Sequence, residues 1–153
     1  MNKILKRSPH AVMYIHSRSI KALKIENILS SECELLGKKI LEVGTGSGII
    51  ASHLAKVTGA FGSVHAVDVV DQRQIDTGFT FNLVEDTSLP FEDNCFDVTV
   101  SNHVMEHVGD KNDQTRHLLE IRRVSKPNEV LYIAVPNKWR IMEPHFKLPL
   151  LSW

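Results

Sequence analysis

Little in this sequence is extreme, and each shortage removes a class of protein. There are only two cysteines, Cys33 and Cys95, far apart and outside any CxxC pair. They read as reduced thiols of an intracellular, cytoplasmic protein and not as a disulfide framework. No apolar run approaches the ~20 residues needed to span a bilayer. The opening Met1 to Arg7 is basic, but no apolar core or small-residue cleavage site of a signal peptide follows it. There is no charge of one sign to exploit either: eighteen basic residues balance eighteen acidic ones. No overall field therefore draws the chain to nucleic acid or to an anionic membrane surface. Repeats and low-complexity stretches are absent as well. What is left is 153 residues of ordinary globular composition, enough for one compact domain and too few for two.

The hydrophobic pattern assigns the elements. From Pro9 to Leu29 the residues Val12, Ile15, Ala22 and Leu23 recur at helical spacing, with Ser8 as cap and Pro9 in the first turn. Lys39–Val43 is a short buried strand. It runs into Gly44-Thr45-Gly46-Ser47-Gly48, and a helix through Ile49, Ile50, Leu54 and Val57 stops near Gly59. Further strands are expected at Val64–Asp68, Phe79–Val84, Phe96–Ser101 and Val130–Val135. A helix at Gln114–Val124, with Leu118 and Ile121 on one face, and a Pro127-Asn128 turn precede the last of them. Asp71–Thr77 is too short and polar for a full crossover helix and is expected to form a reduced helical turn. Apolar, β-branched strands alternating with helices imply an α/β fold: an open, doubly wound, mostly parallel sheet with five recognisable strands. The expected organisation is an N-terminal helical segment (1–37), an α/β ligand-binding domain (38–137) and an apolar tail (138–153).

In such a sheet the ligand sits beyond the carboxyl ends of the strands, where the strand order reverses. The glycine cluster falls at one such end, and a plain strand–helix turn rarely needs three alternate glycines. The dinucleotide fingerprint GxGxxG would put its third glycine at position 49, which is Ile49. The spacing here is GxGxG. Asp68 ends the next strand, 24 residues after Gly44, where a carboxylate can accept ribose hydroxyls, although strand-end aspartates are also common turn-formers. Asp86 follows the third strand and could equally be a solvated loop carboxylate.

Leu41-Glu42-Val43-Gly44-Thr45-Gly46-Ser47-Gly48 resembles motif I of class I S-adenosylmethionine-dependent methyltransferases. Leu89 to Val98, Ser101 to Val108 and Glu120 to Pro127 resemble the segments around the fourth and fifth strands of the ubiquinone/menaquinone-biosynthesis type. The resemblance covers roughly Lys38 to Asn137. It implies S-adenosyl-L-methionine as cofactor, S-adenosyl-L-homocysteine as product, and a cofactor set of Glu42, Gly44, Thr45, Gly46, Gly48, Asp68, Val69, Asp86, Thr87 and Asn102. An acidic Glu42 suits the ammonium and sulfonium charges of that ligand better than a pyrophosphate. The chain departs from the family where Asn128-Glu129 replaces the usual glycine pair after Pro127. It departs again in the shortened second crossover, and in having only eighteen residues after Val135 where the family places two more strands.

Other signals are set aside. His103-Val104-Met105-Glu106-His107 has the ligand order of inverted zinc proteases, but it follows a parallel strand and no third ligand is identifiable, so no metal is expected. A helix start with His107 packed or capping is preferred. Cys95 has no supporting base nearby in sequence and reads as an inert thiol. The Asn-Pro-Pro-Tyr tetrapeptide of amino-group methyltransferases is absent after the fourth strand, which points to a small-molecule acceptor with an oxygen or carbon nucleophile. His103 is the candidate base, in competition with a packed or capping histidine and with Glu143-Pro144-His145 in the tail. The competing functions are a non-catalytic or truncated cofactor-binding domain and an NAD-dependent oxidoreductase. The uncharged apolar strand Val130–Val135 and the tail are expected to promote self-association.

Overall fold

A computed structural model describes residues 15–136. The start of the first helix (Ser8, Pro9, Val12), the tail 138–153 and Glu143-Pro144-His145 lie outside the described residues. The elements are α1 (Ile15–Glu32), β1 (Lys39–Val43), α2 (Ile49–Thr58), β2 (Ser63–Asp68), β3 (Thr80–Leu83), β4 (Phe96–Asn102), α3 (Lys111–Val124) and β5 (Ser125–Ala134). All five strands are parallel, in the order β3-β2-β1-β4-β5. The order reverses between β1 and β4, so the crevice expected of a doubly wound sheet opens beyond Val43 and Asn102. No described helix is long and apolar enough to cross a membrane.

Strand alternation sorts the core onto two faces. Ile40, Val64, Ala66, Val98 and Val100 pack against Ala22, Ile25 and Leu29 of α1 and Ile50, Ala51 and Leu54 of α2. Leu41, Val43 and Val67 point the other way and cluster with Leu89, with Phe96 at the start of β4 and with Ile121 and Val124 of α3. β1, buried on both faces, is the central strand that its unbroken apolar run implies.

Several expectations need correction. The connector 71–77 forms no helical turn. Gln74 and Ile75 instead donate their N–H groups to Ser47 O at 2.9 and 3.1 Å, and those bonds replace the ones a helical turn would use. α1 buries Ala22, Ile25 and Leu29 and leaves Ile15 and Leu23 exposed. α3 starts at Lys111, three residues early, because Asp110 and Asp113 form a capping box. Its inner face is His117, Ile121 and Val124, while Leu118 is exposed. β5 also begins early, straight out of α3. Phe96 pairs with Ser125 and Val98 with Val130, so residues 126–129 stand opposite Asp97 alone. The expected Pro127-Asn128 turn is thus a bulge inside the strand, with Asn128 at φ +62°. Asp97 fastens it, accepting from Lys126 Nζ and from Lys39 N–H.

Candidate cofactor site

The loop 44–48 turns from β1 into α2 with all three glycines at positive φ, a region that costs other residues roughly 1–2 kcal/mol. Their surroundings differ. A Cβ on Gly44 would run into Val104 and one on Gly48 into Ile75 O, whereas one on Gly46 would meet nothing within 4 Å. Gly44 and Gly48 are therefore required by packing, and Gly46 leaves an open backbone surface. Gly44 and Thr45 donate to Val67 O at 2.8 and 3.1 Å, which ties the loop to β2.

Two acids hold the loop. Asp68 Oδ2 accepts the Gly46 N–H at 2.9 Å, while Oδ1 makes only a long 3.3 Å contact with Val70 N–H. Glu42, 1% exposed, accepts from Thr45 Oγ1 at 2.6 Å and from the Ala51 N–H. Burial pushes its pKa up to about 8 despite these bonds and the charge of Arg18, and Asp68 adds to the rise. Glu42 is thus a neutral acid at pH 7, ready to ionise beside a cation. Alternation along β1, β2 and β4 puts Glu42, Asp68 and Asn102 on the same face, toward α1 and α2.

The remaining expected residues lie outside that hydrogen-bonded group. Val69 follows Asp68 and is exposed. Asp86 is exposed and Thr87 half-buried. Asp86 accepts the Ser88 N–H at 2.7 Å, a bond that holds its carboxyl below the usual range. It lines a recess of about 320 Å³ with Leu83, Val84, Glu85, Ser88, Leu89 and Pro90. Glu42, Thr45, Gly46 and Asp68 are joined directly; Asp86 and Thr87 stand apart, beyond β3.

His103 lies across the β1–β4 crevice at φ +57°, its N–H on Ala134 O at 2.9 Å. Its Nδ1 is 3.4 Å from Glu106. Burial pushes the imidazole below its ordinary range, Lys21 adds to this and Glu106 opposes it. Met105–His107 is a short 3₁₀ turn and His107 is exposed, so the expected helix start, with His107 packed or capping, does not form. Among the described residues no cluster of three or more His, Cys, Asp or Glu could hold a metal. Cys33 and Cys95 are free, and burial pushes both thiols up.

Sequence reasoning missed the contributions of α1 and α3. Arg18 and Lys21 reach this end of the sheet from α1. His117, buried on α3, stands 3.5 Å from Ser101 Oγ. None of the three lies in a motif, and only helix phase would have revealed them.

The family model described as a methyltransferase domain matches residues 41–133. This chain belongs to that family. The match starts inside β1 and ends in β5, so the methyltransferase domain coincides with the sheet that builds the site. Among its relatives is the ubiquinone biosynthesis O-methyltransferase of Actinobacillus pleuropneumoniae, 28% identical over 78% of the chain and 54% of the relative. Another is the ubiquinone/menaquinone biosynthesis C-methyltransferase UbiE of Xylella fastidiosa, 30% identical over 67% of the chain and 46% of the relative. The chain spans about half the length of the curated relatives it matches. A SAM-dependent methyltransferase from Aquifex aeolicus has the same fold, with a TM-score of 0.67 and 22% identity over 88% of this chain and 80% of its own.

Proposed function

We propose that this methyltransferase domain binds S-adenosyl-L-methionine and takes part in methyl transfer to an oxygen or carbon nucleophile of a small-molecule acceptor. The observation that carries this is the Asp68–Gly46 bond beside an open backbone surface. One carboxylate oxygen fixes the loop, and the other, held only by the long Val70 contact, keeps the capacity to accept the ribose hydroxyls. When bound, S-adenosyl-L-methionine supplies an electrophilic methyl group on a sulfonium. Gly46 lets the ligand touch the main chain, and Glu42 meets its positive charge. Val69, Asp86 and Thr87 surround its base, and Asn102 borders the crevice. Positioning supplies much of the rate of such a displacement, so a base is required only where the acceptor must lose a proton. His103, with its depressed pKa, is our candidate for that proton.

The test is isothermal titration of the chain with S-adenosylhomocysteine and with NAD. Binding of the first and none of the second is expected; tight NAD binding with no response to S-adenosylhomocysteine would overturn the reading. A radiolabelled methyl-transfer assay on the same sample distinguishes methyl transfer from binding of the cofactor alone. Two finer elements belong to the same proposal. The free thiols suggest a cytoplasmic setting. The outer edge of β5, with Leu131 and Ile133 exposed on it and Val135 exposed just beyond it, suggests self-association.

A further inference from the structure

The loop between β3 and β4 forms one wall of the recess at Asp86, yet its main chain is barely tied to the sheet. Val84 N–H donates to Asp68 O at 3.0 Å, and Asn94 N–H to Arg123 O at 2.8 Å. Between them the only backbone pair among the described residues is a turn bond of the loop itself, Phe91 N–H to Leu89 O. What grips the loop from outside is the apolar packing of Leu89 and Phe91 and two side chains of α3. Glu120 Oε2 accepts the Leu89 N–H at 2.9 Å. Arg123 donates to Leu89 O at 3.0 Å, to Phe91 O at 2.8 Å and to Asp93 Oδ1 at 2.9 Å. The same guanidinium is braced on Glu120 by bonds of 2.7 and 2.8 Å. Both polar groups of Leu89 are thus held by one ion pair more than thirty residues away in sequence.

Leu89 and Pro90 line the recess together with Leu83, Val84 and Asp86. The five N–H donors of a guanidinium point in fixed directions, so Arg123 holds two carbonyls and two carboxylates at once in one rigid arrangement. We propose that Arg123, braced by Glu120, is the positioning residue for the base end of the cofactor site. It touches no ligand and sets the width of the recess that receives the adenine ring. This inference rests on the cofactor reading above.

The experiment is titration of the full chain, wild type and variants, with S-adenosylhomocysteine and with S-ribosylhomocysteine, which lacks the base. Arg123→Ala should raise the Kd for S-adenosylhomocysteine by about tenfold, because the recess no longer holds the width that fits the base. Glu120→Gln should raise it by less, and both variants should leave the Kd for S-ribosylhomocysteine unchanged. Should Arg123→Ala fail to fold, Arg123→Lys and Glu120→Gln carry the same comparison. A general structural role would weaken both ligands in parallel, and that result, or unchanged affinity for both, would overturn the inference. A wild-type chain that binds neither ligand would mean that the cofactor reading itself has failed, and this inference with it.

Discussion

Three glycines at alternate positions look equivalent in the sequence, and the structure makes them unequal. Gly48→Ala would press a methyl group into a backbone carbonyl at φ +78°, a change expected to cost about 1–3 kcal/mol of stability. Gly46→Val should cost only the left-handed conformation, roughly 1–2 kcal/mol, yet abolish binding of S-adenosylhomocysteine. Thermal melts alongside titration separate the two, and a Gly46→Val chain that still binds would remove the loop from the proposed site. Asp68→Ala should weaken binding by on the order of 1–3 kcal/mol through loss of a charge-assisted bond; undiminished affinity in a folded variant would reject the ribose role. Glu42 makes a different demand. Its folded pKa of about 8 lies above the ordinary 4.5, so its contribution to stability is full below pH 4.5. That contribution falls as pH rises toward 8, because only the unfolded chain then releases the proton. Glu42→Gln removes the slope, and its stability relative to wild type should improve between pH 5 and pH 8 in denaturant melts. The acids were legible as a series at strand ends. The retained proton was not, since it depends on a burial that no spacing reveals.

The sequence located elements well where one face or two faces had to be buried, and poorly where a polar group decided. β1, β2 and β4 lie within a residue of expectation because a strand covered on both sides must be apolar along its length. The start of α3 was missed because its cap is Asp110 with Asp113, not a serine or threonine with a glutamate. Asp110→Ala should cost ~1 kcal/mol, seen as a lower melting temperature. The connector 71–77 escaped because its hydrogen bonds go to Ser47 O, a contact with no local signature. The start of β5 was hidden by its bulge. Asn128 there sits in a conformation that asparagine tolerates and glycine adopts freely. Asn128→Gly is therefore expected to be neutral within ~1 kcal/mol and Asn128→Val to destabilise. Equal melting temperatures for the two would mean that the bulge relaxes without strain.

At the scale of the molecule, β5 presents an edge that no described strand covers, uncharged from Val130 to Val135. Sedimentation at micromolar concentration should show self-association, and Ile133→Lys should shift the population toward monomer. A wild-type chain that sediments as a monomer would refute this.

The strand order has a kinetic side. β1 pairs with β2 from nearby in sequence, but with β4 only across a gap in which Ile40 meets Val98. The two banks of the crevice thus come from separate stretches of chain, and that seam carries the loop-closure entropy of a long-range contact. A ligand seated there can recognise the protein only after the seam has closed. S-adenosylhomocysteine should therefore slow unfolding in stopped-flow measurements and leave the refolding rate unchanged. The protection it gives would be a longer lifetime of the native state, with no faster route to it.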